Sequence, residues 1–209
     1  MSDLSHPIFA RLYPRLDAGC ARAGGDAHRA ELLAGASGRV LEVGAGYGAN
    51  FPHYPPEVTE VVALEPEPRL RAKADHAAGR APVPVTVRPG VAEDLDVDDA
   101  SFDVAVASLV LCSVRDPIRA LAELRRVLRP GGELRYYEHI RGDEPGKARF
   151  QRYADVVWPF LAAGCHVSRP TPDWIAGSGF TVRAERRFDF PAGRGNPASP
   201  HVLGVAVRD

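Results

Sequence analysis

Apolar positions in this chain keep two rhythms, and the rhythms alternate. Short continuous apolar runs near 39–43, 60–64, 83–87, 103–108 and 133–139 have the length and β-branched content of buried strands. Segments near 47–51, 66–78 and 117–128 lie between them and read as helices, the last stopped by Pro130-Gly131-Gly132. Upstream, Ile8, Phe9, Leu12 and Leu16 fall at helical spacing between His6 and Leu16, with Pro14 expected to end or kink that helix. Arg22–Ala34 reads as a second helix leading into the first strand.

Beyond the fifth strand the pattern changes. Residues 141–150 are polar, contain Gly142, Pro145 and Gly146, and predict a loop. Ala148–Leu161 is apolar and aromatic and predicts an inserted helix laid over the sheet. Thr171–Gly177 predicts a last helix, with Thr171 as N-cap and Pro172 at the first helical position. Strands near 180–188 and 201–207 complete the set, with a Gly- and Pro-rich loop at Ala192–Pro200. This order predicts an α/β fold: a doubly wound, mostly parallel seven-stranded sheet with an N-terminal helical lid and a helical insert after strand 5. Its ligand crevice is expected at the C-terminal strand ends, near the switch point. A length of 209 residues fits one domain. Its parts are a helical cap (1–36), a cofactor-binding core (37–140), a substrate-side insert (141–170) and the last helix with the C-terminal strands (171–209).

Within that frame one segment carries chemistry. Gly44-Ala45-Gly46-Tyr47-Gly48 follows the first strand, and Glu42 sits inside that strand. Glycines let the chain turn tightly and let a ligand approach the backbone. The second strand ends in Glu65, 21 residues after Gly44. A carboxylate roughly 20 residues on reaches a ribose diol at the neighbouring strand tip. Gly44-x-Gly46-x-x-Ala49 also satisfies the loose dinucleotide fingerprint. Three observations favour S-adenosylmethionine instead. Glu42 would repel a pyrophosphate and attract an ammonium and a sulfonium. A second acidic motif, Gly90-Val91-Ala92-Glu93-Asp94-Leu95, follows the third strand, where a backbone N–H and a carboxylate can read an adenine edge. No Tyr-x-x-x-Lys hydride-transfer dyad exists, and the only lysines are Lys73 and Lys147.

Five segments in order resemble the class I S-adenosylmethionine-dependent methyltransferases. They are Leu41-Glu42-Val43-Gly44-Ala45-Gly46, Leu64-Glu65-Pro66, Ala92-Glu93-Asp94-Leu95, Ser101-Phe102-Asp103-Val104 and Leu124–Gly132, and they span most of the chain after residue 37. Tyr47 stands where threonine is common. A narrower set is similar to the small methyltransferase-like alkyl thiol methyltransferases. It comprises Gly48–Pro56, Leu109–Val114, Glu138-His139-Ile140, Gly164-Cys165-His166-Val167-Ser168-Arg169 and Ser199-Pro200-His201. That resemblance implies S-methylation of small lipophilic thiols, with Asn50 contacting the cofactor. Animal members carry a hydrophobic membrane anchor, which is not expected here.

The resulting site has a cofactor side and an acceptor side. Glu42, Gly44, Ala45, Gly46, Asn50, Glu65, Pro66, Ala92, Glu93, Ser108 and Leu109 are expected to hold S-adenosylmethionine. Glu93 also reads as part of a solvated acidic surface. Tyr13, Cys112, Tyr137, Trp158, Cys165 and His166 are expected to line the acceptor pocket under the two helical covers. Period-two alternation puts Tyr137 and His139 on one face of the fifth strand and Glu138 on the other. His139 is the candidate base, or else a hydrogen-bonded structural histidine. A thiol acceptor ionises with little help, whereas a hydroxyl needs that base. No metal is expected, because Cys165-His166 has no third ligand nearby in sequence.

Whole-chain properties bound the partners. Net charge is −1, which argues against a nucleic-acid or anionic-membrane surface. All but two of the 26 basic residues are arginine, a bias that reads as genome composition. Val104–Val114, interrupted by Ser108, Cys112 and Ser113, is too short to span a bilayer. No signal peptide is visible at Met1-Ser2-Asp3-Leu4. Cys20, Cys112 and Cys165 are odd in number and far apart, as expected of reduced thiols in a cytoplasmic protein. The expected protein is a monomer or homodimer that methylates a small molecule and releases S-adenosylhomocysteine. The alternatives are an O-, N- or C-methyltransferase of a secondary metabolite or quinone-like compound, a nicotinamide oxidoreductase, or a non-methylating scaffold or cyclase on the same fold.

Overall fold

The computed structural model describes residues 7–191 and 198–209; for Pro7, Ile8 and Leu16 it describes the backbone only. His6 and most of the expected Ala192–Pro200 loop lie outside the described residues. Seven strands form one sheet in the order β3-β2-β1-β4-β5-β7-β6. They are β1 (Gly38–Val43), β2 (Val58–Leu64), β3 (Val85–Arg88), β4 (Phe102–Ser108), β5 (Leu128–His139), β6 (Phe180–Pro191) and β7 (Ala198–Arg208). The first five pair in parallel, while β7 runs antiparallel to both β5 and β6. Strand order reverses between β1 and β4, so the switch point lies beside the glycine segment.

Strand alternation builds two cores. Leu41, Val43, Ala105, Ala107, Leu134 and Tyr136 face one side, against Leu121 and Leu124 of α4 (Pro117–Val127) and Ile175 of α7 (Thr171–Gly177). Val40, Val61, Ala63, Val104 and Val106 face the other, against Leu32 and Leu33 of α2 (Asp26–Leu33). Both faces of the parallel strands are covered, which is why they read as continuous apolar runs. Two helices start by the same device. Glu67 precedes Pro68 in α3 (Pro68–Ala78) and accepts from the Leu70 N–H; Asp116 precedes Pro117 and accepts from the Arg119 N–H.

Three local expectations change outside the insert. Pro14 does not end the first helix: α1 runs Pro7–Cys20. Proline removes the N–H that would bond the Ala10 carbonyl, and Lys73 Nζ donates to that carbonyl instead, at 2.9 Å. The break falls later, in a kinked turn at Ala21–Gly25 that leads into α2. The helix expected at 47–51 is a series of turns ending in a 3₁₀ turn, Phe51–His53. Pro52, Pro55 and Pro56 cannot continue a helical ladder there. In α7, Pro170 takes the N-cap place assigned to Thr171, and Thr171 Oγ1 is buried without a hydrogen-bond partner among the described residues.

The insert differs most. It forms two short helices, α5 (Pro145–Ala154) and α6 (Trp158–Leu161), rather than one laid on the sheet. Phe150, Tyr153 and Phe160 are exposed, Phe160 at 86%. A polar residue pins the segment. Gln151 is buried, donates to the Ile140 and Val167 carbonyls, and accepts from the Gly142 N–H. Among the described residues no helix is long and apolar enough to cross a membrane.

Candidate active site at the strand tips

The glycine segment leaves the tip of β1 in a left-handed conformation. Gly44 and Gly46 have φ of 62° and 60°, which disfavours any side chain. A Cβ on Gly44 would lie 2.5 Å from Val110 Cγ2, whereas one on Gly46 would meet only the Tyr13 ring, at 3.5 Å. Glu65 ends β2 and is buried. Its Oε2 accepts from the Gly46 N–H and its Oε1 from the Glu67 N–H, both at 2.8 Å. Burial pushes its pKa upward, against the pull of those two donors. Each oxygen keeps a further lone pair.

Beneath the loop lies a polar network that the sequence did not reveal. Asp17 of α1 and Arg29 of α2 form a buried ion pair at 3.0 Å. Arg29 also donates to Asn50 Oδ1, and Tyr47 donates its hydroxyl to Asp17. Asn50 Nδ2 and the Tyr54 hydroxyl both donate to Glu42. Burial pushes the Glu42 carboxyl up to about 7, with those two donors opposing. In a chain so rich in arginine, nothing local marks Arg29 as special.

At the tips of β4 and β5 a second construction appears. Glu138 is fully buried. Its Oε1 accepts from the Val110 and Leu111 N–H groups, and its Oε2 from the Cys112 N–H. Glu138 therefore orders the turn after β4, where Leu109 is held at φ 60°. The loop after α6 docks on that turn: the His166 N–H donates to the Cys112 carbonyl at 2.7 Å, and Arg169 donates to the Leu111 carbonyl. Asp155 holds the same loop by accepting from the Val167 and Ser168 N–H groups. Cys165 is thereby carried to Cys112, with their sulfurs 3.6 Å apart. His139 Nδ1 lies 3.7 Å from Cys112 Sγ and 3.6 Å from Cys165 Sγ. The Cys165 sulfhydryl and burial push the Cys112 thiol upward, so it stays protonated on its own.

One cavity of about 880 Å³ joins the two constructions. Gly44, Gly46, Glu65, Pro66, Ala92, Glu93, Ser108 and Leu109 line it on one side; Tyr13, Cys112, Tyr137, His139, Trp158 and Cys165 line it on the other. Four expected residues are not in its lining. Glu42 lies on the opposite face of β1 within its network, so it does not present its charge to the cavity. Asn50 is spent between Arg29 and Glu42. Ala45 is buried, and its N–H donates to the Leu64 carbonyl. His166 turns its ring toward Asp155, 3.7 Å away. Glu93 does line the cavity, but its Oε1 accepts from the Arg115 N–H at 2.9 Å. Asp17, Arg29 and His201, for which no role was expected, are also among the residues that line it. The ring of His201 lies 4.3 Å from that of His139 and is buried, which pushes its pKa down to about 3 and keeps it neutral.

The lining on the glycine side suits an adenosine carrying a cation. Glu65 and Glu67 both face the cavity, and the buried Glu67 Oε1 has no hydrogen-bond partner, with the Arg69 guanidinium 3.7 Å away. An orphaned buried acceptor calls for a donor such as a ribose hydroxyl. Arg29 is the one buried cation at this end among the described lining residues, and Asp17 already neutralises it.

A methyltransferase domain family matches residues 41–136. The thiol S-methyltransferase TMT1B of Homo sapiens is 39% identical over 190 residues, covering 84% of this chain and 74% of its own. Among solved structures, an S-adenosylmethionine-dependent methyltransferase from Thermotoga maritima superposes with a TM-score of 0.72 at 21% identity, covering 97% of this chain and 99% of its own. The cyclase SpnF gives 0.73 at 17% identity, over 96% and 93%. These two likenesses show the fold alone.

Proposed function

The chain belongs to the S-adenosylmethionine-dependent methyltransferases, and from that premise we propose that it methylates the sulfur of a small lipophilic thiol. The observation that carries this reading is the single cavity shared by the glycine loop with Glu65 and by the Cys112–His139–Cys165 corner. The thiol S-methyltransferase relative supports the choice of sulfur. S-adenosylmethionine supplies a methyl group bonded to a positively charged sulfur.

The chain's residues divide the remaining work. Gly44 and Gly46 would leave room for the cofactor beside the backbone, and Glu65 would accept from its ribose hydroxyls. Ala92 and Glu93 would hold the adenine end, and Ser108 and Leu109 the methionine end beside the acceptor. Trp158, Leu161, Val110 and Val114 give the acceptor side an apolar wall, which excludes water and holds a lipophilic chain. The activated methyl needs mainly alignment, so the burden falls on positioning the sulfur. His139 and the two cysteines face it. The division into cap, core, insert and C-terminal strands belongs to the same proposal.

An acceptor screen tests it, with thiols, phenols and amines read out as S-adenosylhomocysteine. Lipophilic thiols are expected to give the highest kcat/KM. Turnover confined to phenols or amines would overturn the choice of sulfur. Cofactor binding with no product from any acceptor would favour the scaffold or cyclase reading.

A further inference from the structure

The Cys112–His139–Cys165 corner has the dimensions of a metal site. In tetrahedral zinc coordination, with Zn–S near 2.3 Å and Zn–N near 2.05 Å, the S···S edge is about 3.8 Å and each S···N edge about 3.6 Å. The three edges here are 3.6, 3.7 and 3.6 Å. Cys112, His139 and Cys165 each offer one ligand atom, and the three atoms all lie within 4.8 Å of one another. Cys112 and Cys165 are buried and His139 half-buried, and all three line the cavity. The objection from sequence, that Cys165-His166 lacks a third ligand, fails. His166 is not a ligand, and two residues from other strand tips complete the set.

We propose that Cys112 Sγ, Cys165 Sγ and His139 Nδ1 hold one zinc-class divalent cation, whose open fourth position takes the acceptor thiol. The second half rests on the thiol reading above; the metal site stands without it. The chemistry suits the place. Two thiolates neutralise a dication, so the filled site brings no net charge into a water-poor corner. Three protein ligands with one open position is the pattern of catalytic rather than structural zinc. A thiol that coordinates such a cation is deprotonated outright: its S–H bond breaks, the proton passes to solvent, and a sulfur–metal bond forms, with no change of oxidation state. The methyl then passes from the cofactor to the acceptor sulfur: the sulfonium S–CH3 bond breaks, S-adenosylhomocysteine is the leaving group, and the uncharged thioether, a poor ligand, gives up its bond to the metal. The backbone is already arranged for this. Glu138 fixes the Cys112 amide, and the Cys112 carbonyl holds the His166 amide beside Cys165.

The test uses the full chain, reduced with a phosphine, and cobalt(II) as the spectroscopic stand-in for zinc. Expected are one bound equivalent, a thiolate-to-cobalt charge-transfer band, and intense visible bands of tetrahedral cobalt. Cys165→Ala and His139→Ala should each lose the stoichiometric binding while keeping the wild-type circular dichroism spectrum. Hexanethiol should shift the visible bands of the cobalt protein, and hexyl methyl sulfide should not. Cobalt bound no more tightly by the wild type than by Cys165→Ala would overturn the site. Thiol methylation that survives complete removal of metal by a chelator would overturn the role given to the open fourth position. A Cys112–Cys165 disulfide formed readily in place of metal uptake would also overturn the site. Failure of the thiol reading looks different: the cobalt bands appear, but no thiol is methylated.

Discussion

The cofactor end and the acceptor end of the cavity are built on different principles. At the glycine loop, contacts run between backbone groups and carboxylates close in sequence or on adjacent strands. Gly46 donates to Glu65, and Glu67 donates back to it across two residues. At the acceptor end, Cys112, His139 and Cys165 come from the turn after β4, the tip of β5 and the loop after α6, and none neighbours another in sequence. The first end works through main-chain conformation, which tolerates few residue types. The second works through side-chain chemistry brought together by long-range docking. Substitutions should therefore separate them, one end setting cofactor affinity and the other turnover.

The largest effect is expected at Gly44. Its Cβ would enter a left-handed backbone position and strike Val110, whose amide Glu138 holds. Gly44→Ala should abolish S-adenosylmethionine binding in calorimetry and cost about 1–3 kcal/mol of stability from overpacking. Gly46→Ala meets only the Tyr13 ring, so it should lose cofactor binding with a smaller fall in Tm. Equal destabilisation by both would mean that the contact with Val110 does not couple the two ends.

His139→Ala probes the other end. Turnover of a thiol should fall most below the thiol's own pKa, by up to about 10²–10⁴, the range for a group that helps remove the acceptor's proton, while S-adenosylmethionine affinity stays near wild type. A parallel loss of cofactor affinity would erase the distinction between the ends.

Glu42 tests the buried network. A carboxyl whose pKa is raised by folding binds its proton better in the fold. Its stability contribution is therefore fully present below the unfolded value near 4.5 and is lost as pH rises through about 7. The loss amounts to about 3 kcal/mol. Glu42→Gln removes this dependence, so the variant should gain stability relative to wild type between pH 5 and pH 8 in urea titrations, with a smaller change in cofactor affinity. A constant difference across that range would show that Glu42 stays ionised and that its two donors outweigh burial.

Glu65→Ala should have the smallest effect, weakening S-adenosylmethionine binding by about 1.5–3 kcal/mol, the range for hydrogen bonds to a charged group. Calorimetry with S-adenosylhomocysteine checks it without turnover. Unchanged affinity would reduce Glu65 to a brace for the Gly46 and Glu67 amides.

Much of this was legible along the chain. The strands near 39–43, 60–64 and 103–108 stand where the apolar runs put them, because parallel strands covered on both faces cannot hide their composition. Glycine spacing and Glu65 marked the cofactor end because that end is local. The insert was misread for the opposite reason. Its aromatic residues suggested burial, yet the buried anchor is Gln151, which satisfies two carbonyls and an amide. Hydrogen-bond satisfaction of that kind leaves no periodic trace.

The fold class, the cofactor loop after the first strand and the family could all be read along the chain. Those follow from periodicities and short motifs, which act over one strand or one turn. It took the docking of separate elements to turn Glu42 and Asn50 away from the cavity into a network with Arg29 and Asp17. Docking of the same kind brought Cys112 and Cys165 together across 53 residues. Each case depends on which side chains meet when separate elements dock, and the free energy of that meeting lies in burial and partner geometry. Neither is a property of any one segment.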